Sequence, residues 1–263
     1  MYQSIGIFDS GIGGLTVFNA LRRRLPSENL VYLGDTARVP YGTKSPETVI
    51  RYSREIVQFL LKQRVKMIVV ACNTASAFAL PTLEQEFSIP ILGVIKAGVQ
   101  GGLKASPQKR LGIIGTEGTI RSGSYTREIM EHAPSAKVMT QACPLFVPLV
   151  EEGWLETPAS RLIAETYLAT LRNKIDTLIL GCTHYPLLKK VIQEIMGPKV
   201  TLVDSAEEIA EEVATLLSSK ILLKGGTRGT DHFFVTDSSE RFLQVGRLFL
   251  NHLKHVEKVD LLS

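Results

Sequence analysis

Cysteine is scarce: the 263 residues hold three, Cys72, Cys143 and Cys182. An odd and sparse set in a chain this long makes no disulfide framework, and no Cys-x-x-Cys pair suggests a thioredoxin-like motif. No apolar run approaches the roughly 18 residues of a membrane helix, and Asp9 interrupts the apolar stretch near the start. Neither a transmembrane helix nor a secretory signal is expected. Strong charge of one sign is also missing, the formal net charge being +4. The densest basic run, Arg22-Arg23-Arg24, is short and carries no interleaved aromatics, so no nucleic-acid surface is expected. What is present is a 44% hydrophobic composition, enough for a sizeable core over one or two domains. These absences point to a soluble, cytoplasmic protein with reduced thiols.

Short β-type apolar runs alternate with stretches of helical period, the pattern of βαβ units and a parallel sheet. Strands are predicted over Ile5–Phe8, Leu30–Leu33, Met67–Ala71, Ile91–Val94, Leu111–Ile114, Leu178–Leu180, Val200–Val203 and His232–Val235. Helices are predicted over Leu15–Arg24, from Ser45-Pro46, from Thr157-Pro158 toward Leu171, from Ser205 to about Leu217 and over Glu240–Leu250. Ser45 reads as an N-cap with proline at the first helical position, and that helix places Val49, Ile50, Val57, Leu60 and Leu61 near one face. Ser205 with Glu208 reads as a capping box, and Gly225-Gly226 as a loop.

The chain also repeats itself. Val65–Thr74 parallels Ile175–His184, an offset of 110 residues from Cys72 to Cys182. The strand-turns Ile5–Ser10 and Leu111–Thr116 are offset by 106, from Ser10 to Thr116. Two similar offsets from independent motifs argue for duplication. The expected fold is α/β: two pseudo-symmetric, open parallel-sheet lobes with the active site between them. One lobe takes residues 1–97 plus 208–263 and carries Asp9, Tyr41 and Cys72. The other takes 98–207 and carries Thr116 and Cys182. The hinge is expected near Lys96–Gly98, with a return crossing near Ser205.

Ligands of open parallel sheets bind beyond the carboxyl ends of the strands. Asp9-Ser10, Cys72-Asn73-Thr74, Thr116 and Cys182-Thr183-His184 all fall at such ends. A lone buried cysteine is as often a small hydrophobe as a reactive group. Two at equivalent strand ends of two repeats, each with a threonine within two residues, are read as functional, whereas Cys143, before Pro144 at no equivalent position, is read as structural. A zinc site from Cys72, Cys182 and His184 follows no spacing rule, and a Cys-His hydrolase leaves the second cysteine unexplained. The turn Gly11-Ile12-Gly13-Gly14 lacks the third glycine of a dinucleotide pattern and the Gly-Lys-Ser/Thr of a P-loop. It is read as a tight turn offering N–H groups to an anion. His184 alone suits a cap or core role equally well, and Pro40-Tyr41-Gly42 alone is an ordinary turn.

Opposed lobes that each present a thiol suggest removing a proton from one face of a carbon and returning one to the other. One sulfur must start as thiolate and the other as thiol, and a thiol pKa of about 8.5 brings either form within reach. No lysine lies among the strand-end motifs to hold pyridoxal phosphate.

Over essentially its whole length the chain resembles bacterial glutamate racemase, of the cofactor-independent aspartate/glutamate racemase superfamily. The resemblance is carried by Gly6-Ile7-Phe8-Asp9-Ser10-Gly11-x-Gly13-Gly14-Leu15, Gly34-Asp35-x-x-x-x-Pro40-Tyr41-Gly42, Ala71-Cys72-Asn73-Thr74-Ala75-Ser76 and Leu180-Gly181-Cys182-Thr183-His184-Tyr185-Pro186. It implies interconversion of L- and D-glutamate without cofactor or metal, supplying D-glutamate for peptidoglycan. It also implies a cytoplasmic homodimer whose partner is its small-molecule substrate. Carried over residue by residue, Cys72 and Cys182 are the acid/base pair, with Asp9 and His184 assisting. Asp9, Ser10, Pro40, Tyr41, Gly42, Asn73, Thr74, Thr116, Thr183 and His184 contact substrate. One departure is visible: after Gly93-Val94-Ile95 the family commonly has Pro-Gly, where this chain has Lys96-Ala97-Gly98. Alternatives are a racemase for aspartate or another acid, and a non-catalytic binding protein on the same scaffold.

Overall fold

The computed structural model describes residues 3–220, 223–251 and 253–261; the few remaining positions of the expected lobes lie outside the described residues. Strands β1 (Ser4–Asp9), β2 (Leu30–Gly34), β3 (Val65–Val70) and β4 (Ile91–Gly93) open the chain. β5 (Arg110–Gly115), β6 (Lys137–Ala142), β7 (Thr177–Gly181) and β8 (Thr201–Asp204) follow, and β9 (Asp231–Val235) and β10 (Glu257–Lys258) close it. The helices of the first half are α1 (Leu15–Arg24), α2 (Pro46–Lys62), α3 (Asn73–Phe78), α4 (Leu80–Glu86), α5 (Val94–Ala105), α6 (Glu117–Ser122) and α7 (Ser124–His132). Those of the second are α8 (Phe146–Glu151), α9 (Pro158–Leu168), α10 (Lys189–Met196), α11 (Ser205–Ser219) and α12 (Ser239–Gly246).

Two all-parallel sheets result, ordered β10-β9-β2-β1-β3-β4 and β6-β5-β7-β8. The segment β2-β1-β3-β4 and the whole second sheet have the same order, so the sequence repeat is a repeat of topology. Parallel strands covered by helices on both faces need apolar residues throughout, not in alternation. β1 and β3 meet that need: Ile5–Asp9 and Met67–Val70 are buried without a break. The chain crosses to the second sheet through α5 and returns through α11, and these two helices pack against each other.

The predicted α2 starts where expected: the Ser45 hydroxyl accepts from the Thr48 N–H at 3.3 Å, a cap typically worth about 1 kcal/mol. Its buried face holds Val49, Ile56, Val57 and Leu60, while Leu61 is 38% exposed, one helical position off that face. Four further readings are corrected. The cap of α11 is Asp204, whose carboxylate accepts from Ala206 N at 3.1 Å, not Ser205. Val94 opens α5 instead of closing a strand, so Lys96-Ala97-Gly98 lies in a helix, as does the boundary at 207/208. α9 stops at Leu168 and α12 at Gly246, short of the predicted ends. Finally, β6 was unread because Lys137–Ala142 is a polar edge strand with no residue fully buried. With β6 in place, Cys143 does have an equivalent: its N–H bonds the Gly115 carbonyl at 2.8 Å just as Asp35 bonds Asp9 at 3.1 Å.

Candidate active site

The carboxyl ends of β1, β3, β5 and β7 converge on one cavity of about 340 Å³. Its lining includes Ser10, Pro40, Tyr41, Gly42, Cys72, Asn73, Thr74, Thr116, Cys182, Thr183 and His184. Every candidate except Asp9 is therefore on its surface. Asp9 lies beneath, fully buried at the end of β1.

The glycine-rich turn explains that burial. Gly11 N donates to Asp9 Oδ2 at 2.9 Å, Gly14 N–H also faces the carboxylate, and Thr183 Oγ1 donates from the second sheet at 3.4 Å. The turn does bind an anion, but the anion is the chain's own Asp9. Burial raises the Asp9 carboxyl pKa; the His184 charge and the hydrogen bonds from Gly11, Gly14 and Thr183 oppose it without cancelling it. Gly13 allows the close approach of the two halves, since a Cβ there would stand 2.4 Å from His184 Nδ1 and from Thr183 Oγ1.

Cys72 sits two residues past β3, as the N-cap of α3. Its sulfur accepts from Ala75 N at 3.4 Å, and its thiol donates to the Ser10 hydroxyl oxygen at 3.5 Å. Burial nevertheless pushes the thiol up to about 11, aided by the Asp9 charge and opposed by these hydrogen bonds. Cys182 follows β7 directly, and burial pushes its thiol up as well, opposed by the His184 backbone N–H. It precedes a short 3-10 turn, Tyr185–Leu188, and α10 begins only at Lys189. His184 supplies a different neighbour: its Nδ1 is 3.9 Å from Cys182 Sγ and its Nε2 is 3.0 Å from Glu151 Oε1. The Glu151 carboxyl is raised by burial, but the hydrogen bond and charge of His184, with Arg241 beyond, bring it below its ordinary value.

Polar groups of both halves meet on the remaining walls. The hydroxyls of Thr74, Thr116 and Thr119 form a triangle with sides of 2.9, 3.0 and 3.1 Å. Gly42 packs against Thr116, where a Cβ would come within 2.6 Å of the threonine Cβ. Asn73 Oδ1 accepts from the Tyr125 hydroxyl at 2.7 Å, while its buried Nδ2 has no protein partner. A buried donor without an acceptor is costly, and Asn73 is one of the residues lining the cavity. Tyr41 donates to Asp35, which also accepts from Arg38 Nε at 2.7 Å and Thr236 Oγ1 at 2.9 Å.

Sequence reading missed Thr119, Tyr125, Glu151 and Arg241. Thr119 carried a signal, being three residues after a strand-end threonine, the spacing of an N-cap and its N3 position. Glu151 and Arg241 carried none, since both depend on helices whose place follows from the tertiary fold.

Residues 15–213 match the model of the Asp/Glu/hydantoin racemase family. The chain is 54% identical to the glutamate racemase of Geobacter metallireducens over 95% of its own length and 93% of that protein. Among solved structures, a glutamate racemase of Bacillus anthracis superimposes with TM-score 0.95 at 40% identity, covering 98% of this chain and 97% of that one. The Francisella tularensis glutamate racemase in complex with D-glutamate gives 0.92 at 39% identity, covering 98% of each chain. The chain belongs to the glutamate racemases of that family. Racemases of this kind are isomerases, and their chemistry sets what the cavity must provide: a base on one side of a carbon and an acid on the other. Thiols from two equivalent strand ends in one cavity are able to provide it. Among the described residues no helix is long and apolar enough to cross a membrane.

Proposed function

We propose that this protein interconverts L- and D-glutamate by moving a proton between Cys72 and Cys182 across the substrate α-carbon. One observation carries the reading: the two halves of a duplicated fold deliver one thiol each to the same cavity. In one direction a thiolate takes the α-proton and becomes a thiol, leaving a carbanion. The opposite thiol then gives its proton to the other face and becomes the thiolate. No electron pair leaves the protein or substrate, so the proton balance needs no further reagent. Burial and Asp9 favour the protonated form of both thiols, and the ammonium group of an amino-acid substrate brings the counter-charge with which one of them gives its proton to solvent and starts as the thiolate.

The other residues fall into place around this transfer. The α3 N-terminus donates to Cys72, whose thiol is held by the Ser10 hydroxyl oxygen, and His184, held by Glu151, serves Cys182; Asp9 organises both sides from below. Asn73 Nδ2 and the hydroxyls of Thr74, Thr116 and Thr183, with Pro40, Tyr41 and Gly42, hold the substrate carboxylates. Residues 1–97 plus 208–263 and residues 98–207 act as the two lobes. The product D-glutamate serves peptidoglycan synthesis in the cytoplasm, and the working unit is a homodimer.

The test is a racemisation assay on purified protein with no cofactor added. Glutamate should racemise from either enantiomer while aspartate does not. Turnover of aspartate alone would move the assignment to the alternative substrate, and tight binding of glutamate with no turnover would make the chain a binding protein.

A further inference from the structure

We propose that Arg241 is a substrate-capture residue: its guanidinium leaves Glu152 and takes the side-chain carboxylate of glutamate as the amino acid enters. The inference rests on the glutamate reading above and adds a residue from outside both repeats.

The charge of the cavity wall is the starting point. Its acidic members are Glu117, Glu151 and Glu152, and among the described residues Arg241 is its one lysine or arginine. A substrate with two carboxylates and one ammonium thus meets three carboxylates. His184 does not offset them freely, because its ring is held between Glu151 and Cys182. Without Arg241 the wall would repel the anion it has to admit.

Arg241 is built to move. Its backbone is fixed in the first turn of α12, where the Ser238 hydroxyl accepts its N–H at 3.2 Å and the neighbouring Phe242 is buried. Its side chain is loose: it is 65% exposed, and its ion pair to Glu152 at 3.5 Å has a partner that is 64% exposed. An exposed pair at that distance is weak and easily exchanged. The same side chain also lines an adjoining groove of about 80 Å³ beside Asp237 and Val245, which gives it room to swing. A substrate carboxylate at the cavity mouth is the better partner, since it offers two oxygens to a planar fork in a less hydrated place.

The test compares Arg241→Gln, Arg241→Lys and Glu152→Gln with the wild type, all as the full chain. Arg241→Gln should raise KM for glutamate about tenfold and change kcat less than about twofold, because capture precedes chemistry. Arg241→Lys should fall between. Glu152→Gln removes both the competing partner and one repelling charge, so it should lower KM. The salt response should differ. From about 30 to about 300 mM potassium chloride, screening weakens the attraction of Arg241 as well as the repulsion of the carboxylates in the wild type, but only the repulsion in Arg241→Gln, so KM should fall more steeply with salt in the variant. The proposal is overturned if Arg241→Gln keeps the wild-type KM and salt response, or if kcat falls while KM stays. Failure of the wild type to racemise glutamate would instead remove the functional reading on which it rests.

Discussion

The two halves of this molecule bring their cysteines to matching places and then treat them differently. Cys72 and Cys182 both follow the strand beside the first strand of their sheet, in sheets of the same order. Cys72 accepts a helix-terminal N–H and donates to a serine hydroxyl oxygen. Cys182 receives an imidazole backed by a carboxylate. Duplication fixes where the two groups stand and burial raises both thiols; the loops that differ between the halves supply the smaller hydrogen-bond and charge effects on each. A racemase needs the first to be symmetric, because its substrate faces are mirror images. In the proposed transfer it can tolerate asymmetry in the second, because either sulfur would start as the base.

The strongest way to break this comparison is to remove the thiols one at a time. Cys72→Ala and Cys182→Ala should each lower racemisation by at least about a thousandfold, since a full turnover needs both an acid and a base. Elimination from an analogue with a leaving group on the β-carbon needs only a base. Each variant should then retain elimination from one enantiomer and lose it from the other, in opposite senses. By family resemblance Cys72 serves the D-type and Cys182 the L-type. Loss of the same enantiomer in both variants would make one cysteine structural and end the two-base reading.

How much of this was legible beforehand follows the same division. Strands buried on both faces announce themselves as unbroken apolar runs, so β1, β3, β5 and β7, and the motifs at their ends, were readable. The repeat in turn located the cavity, on which eleven candidates lie. Edge strand β6 was not readable, because Lys137–Ala142 has no apolar run and owes its conformation to pairing with β5. With β6 lost, the equivalence of Cys143 with Asp35 and the place of Glu151 were lost too. The Asp204 cap was missed for a smaller reason: Ser205 and Asp204 are both good caps, and strand β8 decides between them by ending at Asp204.

Thiol acidity gives a sharper and smaller test. In Cys182→Ala protein, iodoacetamide reports on Cys72 in the cavity. The Cys72 pKa is raised from 9.0 to about 11, so at pH 8 its thiolate fraction should be about a hundredfold below that of an unburied thiol. The sign is fixed by burial: a raised pKa means a protonated sulfur at neutral pH and a rate that climbs about tenfold per pH unit until it levels near the raised value. Levelling near pH 8.5 would mean that the N–H of Ala75 and the Ser10 hydroxyl outweigh burial and Asp9. The contrast with Cys182 would then rest on His184 alone.

The smallest effect is expected at Cys143, the thiol at the equivalent of Asp35. In the first half that position holds a carboxylate that accepts from Tyr41, Arg38 and Thr236 and so fixes a cavity residue. In the second half the side chain is fully buried in the core, and its sulfur lies 3.7 Å from the Gln141 carbonyl as its hydrogen-bond partner. Burial pushes its thiol up, which leaves it inert. Its backbone makes the connections that matter locally: the carbonyl accepts from the Tyr185 hydroxyl at 2.8 Å and the N–H bonds Gly115. Alanine keeps both and loses one buried sulfur, at a cost of about 1 kcal/mol and a fall in Tm of about 2–4 °C for a chain of this size. Racemisation by Cys143→Ala should stay within about twofold of wild type, because the backbone geometry that leads to Pro144 at the cavity wall is retained. A loss as deep as that of Cys72→Ala, in protein that still melts within this range, would mean that the third thiol takes part in the proton transfer. The pairing of halves would then no longer explain why two cysteines are needed.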